Sequence, residues 1–284
     1  MKDSDIVDSD VALTTLNEGI QWADTEHRLL RDERAALESF NARLENIEPK
    51  AVSHSSPGLG AVRTLGSPAG GERLAAVRDA YRETVMSVNH YDEEYGESFG
   101  QHVYNEFGPD LAAALERGST FPSPVHRRLQ TGVAEAVEGR TRVLELLATE
   151  RDGLRAVRAD LVPACEKLNK VRACPFNRWT TAALHTEYNR VEAARDRCER
   201  RAAERQCARR EHIQDRSALP HRAVTEGYLY QPLDTSYPGL TALAVLGDRL
   251  RETARELRLA LLRRPSATDD AERRSRVWSV DDPV

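Results

Sequence analysis

The sequence predicts an all-α protein: an elongated antiparallel coiled-coil or helical bundle with a small helical subdomain. Three observations predict it. Of the 284 residues, 40% are hydrophobic, only 6% aromatic and 31% charged, a balance suited to long amphipathic helices with wide exposed faces. Apolar residues recur 3 and 4 apart over long stretches, the heptad spacing of helices that pack along a seam. Pro, Gly and Ser gather between those stretches, where a chain turns.

The first helix is expected over residues 10–48. Leu13, Leu16, Ile20, Ala23, His27, Leu30, Arg34, Leu37, Asn41 and Leu44 alternate 3 and 4 apart. The row Leu16, Ala23, Leu30, Leu37, Leu44 is wholly apolar, and the other row carries His27, Arg34 and Asn41. Residues 49–71, PKAVSHSSPGLGAVRTLGSPAGG, read as a flexible linker. A small helical head is expected over 72–118. There Leu74, Val77, Tyr81, Val85 and Val88 share a face, Asn89 is placed to cap a helix, and Pro109 opens another that Gly118 ends.

Residues 123–217 predict a long antiparallel helical hairpin. Its first arm has the clearest periodicity in the chain: Leu129, Val133, Ala136, Arg140, Val143, Leu147, Glu150, Leu154, Val157, Leu161, Ala164, Leu168 and Val171 hold the spacing, and all but Arg140 and Glu150 are apolar. Pro163 should kink this arm without changing its phase. CPFNRWT, 174–180, is the break, and a short break between long helices implies an antiparallel return. Residues 218–239 read as a loop with an extended piece at GYLYQPL, and 240–262 as the last helix. The charged segment 265–284 has few apolar residues and is expected to be disordered, its VWSV at 277–280 a chance cluster rather than a docking motif.

Composition also bounds function. The formal net charge is -5 and the pI about 6.0, so no global basic field draws nucleic acid or acidic lipid. Lys2, Lys50, Lys167 and Lys170 are the only lysines among 41 basic residues; the other 37 are Arg, a bias that suits a GC-rich genome and, with the acidic excess, salt adaptation. MKDSDIVDSD opens the chain without an apolar run, so no signal peptide is read there, and nothing approaches the ~20 apolar residues of a membrane span. The expected compartment is the cytoplasm. Cys165, Cys174, Cys198 and Cys207 form two pairs spaced nine apart, which on a helix puts the members of each pair on opposite faces. That spacing fits neither zinc nor disulfide pairing, and buried free thiols are expected.

NHYDEEYGESFGQHVYNEFG, 89–108, concentrates aromatics and histidines. Tyr91, Tyr95, Phe99, Val103 and Phe107 are four apart, which reads as one packing stripe on a helix, with Asp92, Glu93, Glu94 and Glu97 mostly off it. His102 and Glu106, also four apart, are the pair that would share a metal, but no Glu-x-x-His accompanies them. The Arg-rich stretch 190–216 holds nine Arg and six acids. Asp196 and Glu204 flank Arg200 at four residues, so a salt-bridged solvent face is expected rather than an unneutralised nucleic-acid stripe.

Three stretches carry a resemblance: VRDAYRETVMSVNHYDEEYGESFGQHVYNEFGPDLAAAL, RVEAARDRCERRAAERQ and GYLYQPLDTSYPGLTALA. They resemble a family of haloarchaeal helical proteins known only as a domain of unknown function. HYDEEYGES and YLYQPLDTSYP are the most specific parts. The resemblance implies an all-helical, salt-adapted cytoplasmic protein and attaches no activity, ligand or catalytic residue.

No phosphate-binding, dinucleotide, zinc-protease or nucleophile-elbow motif occurs. The expected function is a non-enzymatic helical interaction or scaffold protein, with a protein partner (itself or another helical chain) and with no catalytic, cofactor or metal residues. The alternative is a nucleic-acid-binding regulator using the helix 190–216. A third reading is a metal-dependent enzyme at 90–106, with His90, His102 and nearby carboxylates.

Overall fold

The computed structural model describes residues 4–50, 69–214 and 230–264. Its helices are α1 (Ser4–Glu45), α2 (Ala69–Thr84), α3 (Tyr91–Glu94), α4 (Phe99–Phe107), α5 (Pro109–Arg117), α6 (Ser123–Arg172), α7 (Thr181–Gln214) and α8 (Pro238–Leu262), with short 3-10 turns at Val85–Ser87 and Phe176–Arg178. The described residues are all-α, with one isolated bridge, Lys50 to Pro122, and no strand. Most of the linker 51–68, the segment 215–229 and the segment 265–284 lie outside the described residues. Residues 69–71, expected as linker, already belong to α2, and α1 begins six residues before the expected 10 and ends at Glu45.

The chain divides into two compact units. One holds residues 23–149. Its core joins α1 (Leu37, Phe40, Leu44), α2 (Leu74, Val77, Tyr81), α4 (Phe99, Val103), α5 (Leu111, Leu115) and α6 (Leu129, Val133). Within it α1 and α6 run antiparallel: Arg140 reaches Glu33, and His126 Nε2 lies 3.2 Å from the Leu44 carbonyl. The Lys50 amide donates to the Phe121 carbonyl at 2.8 Å and ties the two helix ends together. Gly108, at φ +87, ends α4 in a conformation only glycine adopts easily, and Pro109 starts α5 at once. Arg78 of α2 donates to the carbonyls of Leu115 (2.6 Å) and Glu116 (2.8 Å), satisfying the last turn of α5 with a charge of favourable sign.

The other unit holds the chain up to residue 22 and, among the described residues, those from 150 onward. α6 and α7 are antiparallel arms, pinned by Arg201 to Asp160 (2.7 Å) and Arg205 to Glu150 (2.8 Å). α8 packs on α7. Its first turn places Gly239 against Arg205, while Arg264 beyond its end donates to the carbonyls of Phe176, Asn177 and Trp179. α8 therefore runs antiparallel to α7. α6 continues through Pro163, and Leu161, Cys165, Leu168 and Val171 stay buried, so the seam keeps its phase.

Four expectations are corrected here. In α1 the inward rows are Leu16, Ala23, Leu37, Leu44 and, one residue before the expected second row, Ala12, Gly19, Glu33 and Phe40. Leu13, Ile20, His27, Arg34 and Asn41 are only half-buried. One residue is a rotation of about 100°. It is set by tertiary fit: Phe40 packs edge-on against Tyr81 at 5.0 Å between ring centres, and Gly19 lets α1 lie directly on Pro238. In the 89–108 stretch, the single helix is two, α3 and α4. Gly96, at φ +54, breaks it, and Ser98 accepts from the Gln101 amide to start α4. Asn89 does not cap α3; His90 stands at that position without a side-chain cap bond. The described part of the expected extended piece, from Tyr230, is a turn closed by the Leu233 amide on the Tyr230 carbonyl.

Candidate functional site

Arg140 and Glu150 interrupt an otherwise apolar α6 seam, and each is the centre of a mostly buried ionic cluster, one in each unit. A lone charge facing a seam costs several kcal/mol unless it is paired and hydrogen-bonded. Both are paired.

In the 23–149 unit, Arg140 Nε donates to Glu33 Oε2 at 2.9 Å, and its two terminal nitrogens hold Glu106 at 2.6 and 3.1 Å, a fork-to-fork geometry. Glu33, 8% exposed, has two more partners on its other oxygen. The Tyr95 hydroxyl donates at 2.9 Å and His90 Nε2 lies 3.3 Å away. The short helix α3 makes this possible. His90 stands at its start and Tyr95 at its end, where the amides of Tyr95 and Gly96 both donate to the Tyr91 carbonyl. The turn at Gly96 then brings in α4 with Glu106 in its last turn.

His102 is buried beside this cluster. Its Nδ1 lies 2.7 Å from the Tyr81 hydroxyl, and its ring meets Tyr91 and Tyr95 edge-on at 5.1 and 5.0 Å. Tyr81 is the hub of the aromatic core, with Phe40, Phe99 and Phe107 within 6.0 Å.

The protonation states follow from these surroundings. Burial, with Glu106 nearby, pushes the Tyr81 phenol well above its ordinary value. Burial and the Glu33 charge do the same for Tyr95, and burial raises Tyr91 to about 12. Burial lowers His102 below its ordinary value, against the opposing pull of Glu106. Burial would also lower Arg140, but its bonds and charges with Glu106 and Glu33 outweigh that and raise it. On the same face of α1, burial and the neighbouring charges of Glu33 and Glu94 raise Glu26. The cluster is thus a set of fixed donors and acceptors: phenols that keep their protons, a permanent guanidinium and a neutral imidazole.

In the other unit, Glu150 accepts from Arg205 at 2.8 and 3.1 Å and from the Tyr230 hydroxyl at 2.7 Å. The Arg205 side chain is threaded between Gly153 of α6 and Gly239 of α8, where an added Cβ would come within 2.6 and 2.9 Å of it. Both polar exceptions in the seam are therefore met by an opposite charge, and in each cluster a tyrosine hydroxyl donates to a carboxylate: Tyr95 to Glu33 and Tyr230 to Glu150.

The pair that would share a metal in the third reading, His102 and Glu106, is engaged elsewhere. His102 is engaged by Tyr81 and Glu106 by Arg140. Among the described residues no group of three or more His, Cys, Asp and Glu is placed to hold a metal. Glu33, at the centre of the 23–149 cluster, is not legible from the heptad spacing, which places Arg34 on the seam. The readable signal is the row Ala12, Gly19, Glu26, Glu33, Phe40, of which Glu33 answers Arg140 in α6.

In the Arg-rich stretch the acids do pair with Arg, though not around Arg200. Glu204 accepts from Arg201 at 2.9 Å, Asp196 lies 3.7 Å from Arg195, and Glu192 and Glu199 also meet Arg195. Within that stretch the side chains of residues 209–216, Arg209 and Arg210 among them, lie outside the described residues. The cysteines are all free, with Cys165 and Cys198 buried and Cys174 and Cys207 exposed. The opposite-face expectation holds within each pair, while burial of all four does not, because residues nine apart cannot share one face. Burial raises the Cys198 thiol above its ordinary value.

A family model described as a domain of unknown function, DUF7260, matches residues 14–254. No curated protein and no solved structure matches the chain.

Proposed function

The chain belongs to the DUF7260 family, a domain of unknown function, and from that premise we propose that it is a non-enzymatic helical interaction protein, a scaffold whose partners bind its helix faces. One observation carries the reading. The two segments that look most specific in the sequence, HYDEEYGES and YLYQPLDTSYP, each spend a tyrosine hydroxyl on a carboxylate of a helix, Tyr95 on the buried Glu33 and Tyr230 on the partly buried Glu150. Both segments thus work as clasps between helices. His102 and Glu106 of the 89–108 stretch point the same way, since His102 is engaged with the Tyr81 hydroxyl and Glu106 with Arg140. A reducing cytoplasm belongs to this reading; the four free thiols are in keeping with it, and no described helix is long and apolar enough to cross a membrane.

The test is capture of partners by the full chain at native salt, followed by reconstitution of a defined complex from purified components. The reading predicts a stoichiometric complex that survives His102→Gln and is weakened by charge reversal on an exposed helix face. Turnover or metal loading that vanishes on changing His102 or Glu106 overturns it in favour of an enzyme. Duplex DNA binding at physiological salt that is lost with Arg197→Gln and Arg200→Gln overturns it in favour of a regulator.

A further inference from the structure

A groove of about 530 Å³ lies where the end of α8 meets the 3-10 turn between α6 and α7. Phe176, Leu259 and Ala260 supply its apolar wall, and Arg263, Arg264 and Glu256 its polar rim. Leu259 is 42% exposed and Leu262, beside it, 72%. The rim is net basic: Glu256 already lies 3.9 Å from Arg172, and Arg264 is held in place by the three carbonyls of the turn. An occupant must therefore combine an apolar side chain with acidic neighbours.

The sequence beyond Arg264 contains one such segment. VWSVDD, 277–282, sets Trp278 between two valines and follows them with Asp281 and Asp282. Arg264 itself lines the groove, so the segment is tethered at the site. Trp278 is fourteen residues farther on, a span of up to roughly 46 Å when extended, ample for a return over a few ångströms. A tether this short gives an effective concentration in the millimolar range. Even weak intrinsic affinity then gives substantial occupancy.

We propose that residues 277–282 of this chain dock into the groove at the end of α8, with the Trp278 indole against Phe176 and Leu259 and the two aspartates against Arg263. Docked there, the segment fills the same groove that an acidic, aromatic peptide of a partner would occupy. This goes beyond the interaction reading and stands without it.

The test uses the full chain with Trp22→Phe and Trp179→Phe, leaving Trp278 as the sole tryptophan, with the fold checked by circular dichroism. A segment of millimolar affinity is half docked at millimolar effective concentration, so acrylamide quenching of Trp278 should fall by up to about twofold below its value in urea. Leu259→Asp or Arg263→Glu, both at exposed positions, should restore the urea value. In the chain with all three tryptophans, Trp278→Ala should speed hydrogen exchange across 256–264 and leave α4 unchanged. Three results overturn the proposal: Trp278 as open to quencher in the native chain as in urea, protection indifferent to both groove variants, or protection that grows with protein concentration. The last would assign the segment to a second copy.

Discussion

Arg140 and Glu33, 107 residues apart in sequence, meet at 2.9 Å with both side chains largely removed from solvent. This contact locks α1 to α6, and through Glu106, Tyr95 and His90 it also fastens α3 and α4.

The two partners should respond unequally to substitution. Arg140→Met leaves Glu33 and Glu106 as neighbouring carboxylates with no cation between them, and should cost about 3–5 kcal/mol. Glu33→Gln keeps the Arg140–Glu106 fork and should cost less, about 1–3 kcal/mol. Urea unfolding of both variants and the double variant checks this. The double variant should be less destabilised than the sum, and additive losses would mean the contact carries no coupling.

Gly19→Ala should destabilise the protein although alanine is the better helix former by about 1 kcal/mol. A Cβ at this position would lie 2.7 and 2.9 Å from the ring carbons of Pro238, and a proline ring cannot swing aside. Overpacking of this kind typically costs about 1–3 kcal/mol. A higher melting temperature for the variant would show that α1 does not press on Pro238.

Glu26→Gln should stabilise the protein at neutral pH and do nothing below pH 4.5. Burial and the Glu33 charge raise the folded pKa of Glu26 above its ordinary 4.5. As pH rises through 4.5 the unfolded chain releases this proton while the folded chain still holds it, so stability falls until the folded pKa is passed. An amide escapes that loss. His102 acts in the opposite sense: its folded pKa is lowered from 6.5, so its contribution is complete above 6.5 and is lost as pH falls below it. Unfolding curves of the variant and the parent from pH 4 to 8 separate the two effects.

Tyr81→Ala should cost about 3–5 kcal/mol, because the ring is fully buried at the hub of the aromatic core. Tyr81→Phe should cost about 1–3 kcal/mol by leaving His102 Nδ1 without its hydroxyl partner. Tyr104→Ala, at a side chain 51% exposed, should scarcely move the melting temperature. Equal effects at Tyr81 and Tyr104 would mean that the aromatics of this stretch do not form a core.

Periodicity by itself determined the helices, because the i, i+3, i+4 pattern is local and survives in any context. The seam from Leu129 to Val171 is the clearest case; its apolar rows are buried or half-buried, through Pro163 and beyond. The sequence also marked Arg140 and Glu150 as the two positions that break this seam, without saying what would answer them. Tertiary structure decided which row of α1 turns inward. Leu13 and Ile20 made the expected row look apolar, but close packing against Pro238 and Tyr81 favours Gly19 and Phe40, and that rotation carries Glu33 inside. It likewise decided that Tyr91 and Phe107 lie on separate helices, since Gly96 can take a positive φ that helical spacing does not reveal. The cluster at Arg140 joins residues of α1, α4 and α6 and the two residues that flank α3, across more than a hundred positions. Such a contact comes from packing between helices, and no local pattern in the chain encodes it.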